Sequence, residues 1–340
     1  LQELLKDKDM ELVAEVIVTI ADIVTYPDKG ARIIGPLAKS KDWFVRITVM
    51  DALATLPCKE SVAPCLECLN DSVWQVRAAA IQALARLYTR EAIEPLIDAL
   101  AREKHERLIG DIVDALKYLT GTDYDCDAGL WRKWWEAVKD DFRLPNEKKD
   151  DKGKIGENGP ATGLPEKPPA PPRPKYHGME LKTFHVIFIL DRSGSMMGQM
   201  TTTMDGQRVR GTKHEIAIKE LTKVISQMDK RYWFNVIFYH NEFEVWQKKL
   251  TKATRKARQK AIEWVKSVQP EGSTNIGDSL EEAFKDEKVD TIYLLSDGQA
   301  NTGKYPDAGS ILAAVKKWNR KKRIKINTIS FGRGADTQFM

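Results

Sequence analysis

The sequence is poor in two residue types that build disulfide scaffolds and structural zinc sites, with four cysteines and five histidines in 340 residues. The cysteines are Cys58, Cys65, Cys68 and Cys126. Their number and uneven spacing do not suit a disulfide framework. No second Cys or His pair follows Cys65 and Cys68 at the spacing of zinc ligands. The sequence therefore predicts neither a disulfide scaffold nor a zinc site.

Long apolar runs and a strong charge excess are also missing. No run approaches the roughly 20 apolar residues that cross a bilayer, and residues 1–30 carry charges throughout, unlike a signal segment. The first residue is Leu rather than Met, so a leader removed or omitted fits the sequence equally well, and the compartment stays open. A net charge of +5 is small beside 54 basic and 49 acidic residues. It does not require a nucleic-acid partner.

The first 120 residues contain an internal repeat. Equivalent segments begin at Leu12, Val45, Val76 and Leu108, at steps of 33, 31 and 32 residues. Within each segment, apolar residues recur at offsets 0, 4, 5, 8 and 11, which form one stripe on a helix. A second apolar stretch, such as Ala92–Leu100, follows. Pairs of helices that stack on their neighbours predict an all-α solenoid.

The repeat alignment also explains the paired cysteines. Cys65 falls opposite Leu96 and Cys68 opposite Ala99, at apolar positions of the second helix. A free cysteine at such a position behaves as a small buried hydrophobe. We therefore expect both thiols to lie in the core.

Two segments in the repeats carry a family resemblance. Trp43-Phe44-Val45-Arg46 and Trp74-Gln75-Val76-Arg77 each open a helix and resemble HEAT-type repeats. The expected HEAT-like domain covers residues 1–143 and closes with a tryptophan-rich helix at 129–142. Just before that helix, Asp123–Asp127 spaces its acids like a calcium loop, but Ala128 replaces the required Gly, which favours an N-cap and turn.

A spacer and a second domain follow. Residues 144–175 combine a charged run with a proline-rich run, which is typical of a linker. Beyond it, apolar strands alternate with amphipathic helices over 176–340 and predict a doubly wound, Rossmann-like α/β sheet. The expected strands are 184–190, 233–239, 243–250, 291–296 and 324–331, and the expected helices are 213–229, 253–267, 276–285 and 307–319.

Three polar clusters follow the carboxyl ends of these strands, where such sheets place their sites. They are Asp191-Arg192-Ser193-Gly194-Ser195, Gly272-Ser273-Thr274-Asn275 and Ser296-Asp297-Gly298. Two carboxylates and three hydroxyls then converge from three loops. An all-oxygen set with few carboxylates suits a weakly held, hydrated Mg²⁺ or Mn²⁺.

Taken in order, these three segments resemble the metal-ion-dependent adhesion site of von Willebrand factor A domains. The resemblance covers about 176–340. It implies that Ser193, Ser195 and Thr274 contact the metal directly, while Asp191 and Asp297 act mainly through bound waters. It also implies one open coordination position for an Asp or Glu of a protein partner. Taken singly, Asp191 reads equally well as a helix cap, and Thr274 or Asp297 as a turn residue.

Three regions complicate the prediction. A polar insertion after Met196, including Thr201–Thr203, borders the site and either shapes partner choice or is a mobile loop. The chain stops at Met340, soon after Phe331, so either the sequence is a fragment or a neighbouring chain covers an exposed sheet edge. The basic residues between Lys316 and Lys325 fall at a helix C-terminus and lack aromatic stacking partners, so they do not predict nucleic-acid binding.

The function predicted from the sequence is a cation-dependent protein-binding module with a helical-repeat scaffold. Catalysis is not expected, since the site motifs contain no histidine base and no nucleophile elbow, and no phosphate-binding glycine loop follows the first strand. The open alternatives are an accessory subunit of an enzyme or ATPase complex, and a metal-free structural scaffold.

Overall fold

In the computed structural model, residues 1–145, 173–204 and 206–331 are described. The chain divides into two compact units, Leu1–Ala170 and Pro171–Met340. Each hydrophobic core cluster of the described residues draws on one unit only. Among the described helices, none combines the length and the apolar character that a bilayer crossing requires.

The first unit is built from helix pairs. The first helices of the pairs are α1 (Met10–Ile23), α3 (Trp43–Leu53), α5 (Trp74–Leu87) and α7 (Glu106–Thr120). The second helices are α2 (Pro27–Ile34), α4 (Lys59–Cys68), α6 (Ile93–Arg102) and α8 (Ala128–Val138). Successive first helices pack side by side, so the predicted helical repeat is confirmed.

Sequence features fix where several of these helices begin. Asp9, Asp42 and Asp127 each accept hydrogen bonds from backbone N–H groups in the first turn of α1, α3 and α8, which satisfies donors that a helix start leaves free. Asp127 therefore caps a helix, as the N-cap interpretation of Asp123–Asp127 expects. Because the packed sides of these helices are apolar, the helices bury one continuous core.

Two arginines tie consecutive repeats together. Arg46 donates two hydrogen bonds to the Asp71 carboxylate, at 2.6 and 2.8 Å. One repeat later, Arg77 donates two to the Glu103 carboxylate, at 2.8 and 2.9 Å. Arg77 also donates to the Asp71 carbonyl at 2.8 Å. We call Arg46, Asp71, Arg77 and Glu103 the arginine ladder; each guanidinium holds a carboxylate that lies about one repeat further along the chain.

The core of the first unit holds the residues that the sequence placed there. Cys65 and Cys68 are buried in α4, and Trp131 and Trp134 of α8 are fully buried and pack edge to face. Leu144, assigned above to the spacer, is also buried in this core. The rest of the predicted spacer, apart from Pro145 and residues 173–175, lies outside the described residues.

The second unit is an α/β sandwich. Its strands are β1 (Lys175–Tyr176), β2 (Met179–Glu180), β3 (His185–Asp191), β4 (Gln199–Met204), β5 (Gln207–Thr212), β6 (Trp233–Tyr239), β7 (Phe243–Val245), β8 (Thr251–Lys252), β9 (Thr291–Ser296) and β10 (Lys325–Ser330). Its helices are α9 (Lys213–Gln227), α10 (Arg255–Ser267), α11 (Ile276–Lys285) and α12 (Ala308–Lys322).

The central sheet has the strand order β10-β9-β3-β6-β7. Strands β10, β9, β3 and β6 run parallel, whereas β7 and β8 pair antiparallel with β6. Along β3, Phe188 and Leu190 face the core shared with α9 and α10, while Ile187 and Ile189 face the core shared with α11 and α12. The sheet is thus covered on both faces, which explains why β3 is apolar from Val186 to Leu190.

The prediction of one strand at 243–250 was wrong. Only β7 (Phe243–Val245) forms a strand within this range, and β8 begins after it, at Thr251. Between them, the side chain of Asn235 in β6 takes the place of ladder bonds at Gln247. Its amide Nδ2 donates to the Gln247 carbonyl at 2.6 Å, and its Oδ1 accepts from the Gln247 N–H at 3.1 Å. The insertion after Met196 contains an antiparallel hairpin formed by β4 and β5.

Candidate metal centre

The first loop of the site is organised by Asp191, the last residue of β3. This side chain is buried, with 1% of its surface exposed. Its Oδ1 accepts the Ser193 N–H at 2.7 Å, and its Oδ2 lies 3.1 Å from the Ser296 hydroxyl and 3.2 Å from the Tyr239 hydroxyl. Burial raises the pKa of the Asp191 carboxyl, although hydrogen bonds from Ser193 and Ser296 act in the opposite direction.

A chain of oxygen atoms leads from this loop to the end of β9. The Ser193 and Ser195 hydroxyl oxygens lie 2.9 Å apart. Ser195 in turn donates to Asp297 Oδ1 at 2.7 Å. Asp297 thus contacts a residue that is distant in sequence. A role as a turn residue alone does not account for this contact.

Asp297 also has a cationic partner. Lys213 Nζ donates to Asp297 Oδ2 at 2.7 Å, and the Asp297 side chain is fully buried while that of Lys213 is 15% exposed. Lys213 is the first residue of α9, whose start is fixed by a capping box between Thr212 and Glu215. Helix α9 is thus capped by Thr212, and Asp191 is not its cap.

The loop of Gly272–Asn275 contacts the loop after β3 through backbone atoms. The Gly194 N–H donates to the Gly272 carbonyl at 3.0 Å. Thr274 is buried and is held at both backbone groups by Asn301, whose Oδ1 accepts the Thr274 N–H at 2.9 Å and whose N–H donates to the Thr274 carbonyl at 3.1 Å. Within the described residues, the Thr274 hydroxyl has no hydrogen bond to the other predicted ligands.

Arg192 anchors the loops from the opposite side. Its buried guanidinium donates to Glu244 at 2.6 Å, to Glu271 at 3.0 Å and to the Gln269 carbonyl at 3.1 Å. Its backbone N–H donates to the Tyr239 carbonyl at 2.9 Å. The side chain of Arg192 therefore fixes the position of the first loop between β6, β7 and the segment before Thr274.

The structure brings four of the five predicted site residues into one hydrogen-bonded network, namely Asp191, Ser193, Ser195 and Asp297. Thr274 lies in the adjoining turn, which meets the first loop through the backbone bonds of Gly194 with Gly272 and of Glu271 with the Arg192 carbonyl.

The sequence prediction assigned no role to the residues that support these five. They are Tyr239, Ser296, Lys213, Asn301 and Arg192. Tyr239 ends the strand beside β3, and Ser296 directly precedes Asp297, so their positions at strand ends gave a usable signal. No local pattern marks Lys213 or Asn301, because each meets the site only through the tertiary fold.

The donor set fits a small hard cation. Adjacent ligands in an octahedron with 2.1 Å bonds are separated by about 3.0 Å, and the Ser193 and Ser195 oxygens are 2.9 Å apart. The described part of the chain contains no group of three or more His, Cys, Asp or Glu arranged to hold a metal. Any ion here would rest largely on hydroxyls and water, as oxygen-selective Mg²⁺ sites with few direct carboxylates do.

Comparison with known proteins agrees with both units. A family model for HEAT repeats matches residues 31–117, and a model for the von Willebrand factor type A domain matches residues 186–299. The human von Willebrand factor A domain-containing protein 3A is 30% identical over 145 residues, which cover 43% of this chain and 11% of that protein. The human inter-alpha-trypsin inhibitor heavy chain H3 is 27% identical over 138 residues, which cover 37% of this chain and 14% of that protein.

Two solved structures align with part of this chain. A von Willebrand factor type A protein from Catenulispora acidiphila is 18% identical, with a TM-score of 0.37 over 45% of this chain and 34% of that one. A conserved hypothetical protein, BatB from Bacteroides thetaiotaomicron, is also 18% identical, with a TM-score of 0.32 over 43% of this chain and 65% of that one. The von Willebrand factor type A match, at residues 186–299, thus lies within the second unit, and the HEAT-repeat match, at residues 31–117, lies within the first.

Proposed function

We propose that this chain is a protein-interaction module whose second unit binds one divalent cation, Mg²⁺ or Mn²⁺, and offers it to an Asp or Glu side chain of a partner. The network of Asp191, Ser193, Ser195 and Asp297 is the observation that carries the proposal. The family of the second unit and its inter-alpha-trypsin inhibitor relatives support an interaction role.

The proposal assigns a role to each predicted ligand. Ser193 and Ser195 contact the ion directly, because their hydroxyl oxygens already have the spacing of neighbouring ligands. Thr274 contributes a third hydroxyl from a turn whose backbone Asn301 holds in place. Asp191 and Asp297 orient the serines and bind the waters of the ion, a supporting role that tunes metal affinity.

Partner binding follows from the small number of anionic ligands. When bound, the cation supplies an electrophilic position that an incoming carboxylate completes. Since hydroxyls and waters neutralise little of its charge, such an ion favours one additional anionic ligand. The helical repeats of the first unit offer a second surface for protein contacts.

Titration calorimetry with Mg²⁺ and Mn²⁺ tests the metal site. We expect wild-type binding, weakened by about 100-fold or more in the Ser193→Ala/Ser195→Ala double variant, because losing even a residue that only orients a metal ligand costs about 10- to 100-fold. Ser226→Ala/Ser267→Ala serves as the matched control, since both of these hydroxyls are exposed and bond only to backbone in their own helix region. This control should bind like the wild type.

Two results would contradict the proposal. If the wild type showed neither heat nor a change in melting temperature with either ion, a metal-free scaffold would be favoured instead. If partners captured from a cell extract were retained equally with and without EDTA, the partner would not be bound through the ion.

A further inference from the structure

Lys213 is held tightly beside the proposed metal site. Its backbone N–H donates to the Gly198 carbonyl at 2.9 Å. Lys213 Cε would lie 3.6 Å, an ordinary contact distance, from a Cβ built at Gly198, so the lysine side chain runs beside this glycine. The ammonium then reaches Asp297 Oδ2 at 2.7 Å, within a nearly buried pair. Both ends of this residue are thus positioned by neighbouring loops.

The ammonium changes the charge of the site. The carboxylates are Asp191 and Asp297, and Lys213 is bonded directly to the second of them. Arg192 is directed away to Glu244 and Glu271, which balance it. Two negative charges and one positive charge therefore line the site. A divalent cation would convert this balance from one net negative charge to one net positive charge.

We infer that Lys213 makes the binding of the cation and the binding of a carboxylate depend on each other. This inference rests on the proposed function and adds a regulation of the same site. The buried ammonium repels an incoming divalent ion, so the ion alone binds weakly. A carboxylate from a partner restores neutrality and removes that cost. Because such coupling is reciprocal, each ligand raises the affinity for the other.

The charge balance predicts the behaviour of a chain without the ammonium. In a Lys213→Met variant, the two carboxylates would neutralise the divalent ion completely. The ion would then bind more tightly alone, and an added carboxylate would find a neutral centre rather than a positive one. In this variant, the cation would therefore bind tightly by itself, and its binding would no longer depend on the carboxylate.

Mg²⁺ titrations with and without acetate, the smallest carboxylate probe, test the inference in the full chain. Ionic strength is matched with chloride, and free Mg²⁺ is used throughout. We expect saturating acetate to raise wild-type Mg²⁺ affinity by at least about fivefold. In Lys213→Met, Mg²⁺ alone should bind at least about tenfold more tightly, and the acetate effect should fall below about twofold.

Two further variants control for changes in structure. Lys219→Met removes an exposed positive charge from the same helix and should leave both effects as in the wild type. Lys213→Gln keeps a hydrogen-bond donor for Asp297 without the charge, so it should behave like Lys213→Met. Circular dichroism verifies folding; if Lys213→Met does not fold, Lys213→Gln alone decides.

The outcomes separate the inference from the proposed function. If the wild type binds Mg²⁺ but the uncharged variants bind it no more tightly, or keep the full acetate effect, Lys213 only positions Asp297 and the inference is overturned. If neither the wild type nor these variants bind Mg²⁺ with or without acetate, the proposed function itself fails.

Discussion

At the scale of single residues, the two aspartates of the site have different surroundings. Asp191 is surrounded by uncharged donors from Ser193, Ser296 and Tyr239, and burial raises the pKa of its carboxyl. Asp297 has an ammonium as its partner. The same residue type thus organises a loop through neutral hydrogen bonds in one case and holds a positive charge in the other.

Gly303 supports the turn that carries Thr274. Its φ of +89° lies in the left-handed region, and an added Cβ would stand 2.1 Å from Asn275 Oδ1. Asn275 caps α11 and follows Thr274 directly. We expect Gly303→Ala to lower the free energy of unfolding by about 3 kcal/mol and to weaken Mg²⁺ binding, as measured by urea denaturation and calorimetry.

Gly178→Ala separates the two causes of this effect. Gly178 has a similar φ of +81°, but a Cβ there would meet nothing within 4 Å. Its cost should be that of backbone strain alone, about 1 kcal/mol, with Mg²⁺ binding unchanged. Equal losses of stability in the two variants would show that the contact with Asn275 has no influence.

At the scale of elements, the arginine ladder joins consecutive repeats by ion pairs in addition to their apolar packing. Burial raises the pKa of Glu103, but bonds from Arg77 and from the N–H groups of His105 and Lys104 outweigh that effect and lower it overall. The pair is nearly enclosed, with 19% of the Arg77 side chain and 7% of the Glu103 side chain exposed. The ladder is therefore better shielded from solvent than an ordinary surface ion pair.

Arg77→Met tests the contribution of the ladder. Removing the guanidinium leaves Glu103 and the Asp71 carbonyl without this donor, so we expect a loss of about 2–3 kcal/mol in the free energy of unfolding of the first unit. Arg32→Met is the matched control, because Arg32 pairs with Glu60 but has 66% of its side chain exposed. That change should cost less than about 1 kcal/mol. Similar losses in both variants would contradict a special role for the enclosed pair.

Periodicity predicted most elements of both units, because an apolar stripe or run directly reflects which face is buried. Strand β6 and helix α11 have the bounds that the pattern indicated. The pattern failed at 243–250, where a side chain of the neighbouring strand interrupts the pairing. It also gave no sign of the β4–β5 hairpin, whose strands are short and largely polar. In both places, the strand depends on the segment with which it pairs. The pattern of one segment does not show which segment that is.

At the scale of the whole molecule, the site depends on loops that the chain brings together over more than 100 residues. The sequence pattern identified the predicted ligands because they lie where a strand of the central sheet ends or just before a helix of the second unit begins. The supporting residues could not be named in this way, since Asn301 and Lys213 approach from segments with no strand-end motif. A sequence pattern locates residues that face the same edge, whereas it does not show which side chains fill the space between them.

Separate cores in the two units lead to a calorimetric prediction. We expect two unfolding transitions in the full chain, with Gly303→Ala lowering one melting temperature and Arg77→Met the other. Mg²⁺ at about 100 times its dissociation constant should stabilise only the transition that Gly303→Ala lowers, by about 2.7 kcal/mol. One transition affected equally by both substitutions and by Mg²⁺ would show that the units unfold as one.

Strand β3 connects the interior of the second unit with its chemistry in a way that restricts change. Its side chains alternate between two different cores, and its last residue is Asp191. Losing one residue inside the strand would send every preceding side chain to the wrong layer or draw Asp191 back by about 3.3 Å. A volume-conserving substitution in this strand is therefore expected to cost less than the insertion or deletion of one residue, because only the latter moves Asp191 or exchanges the two cores.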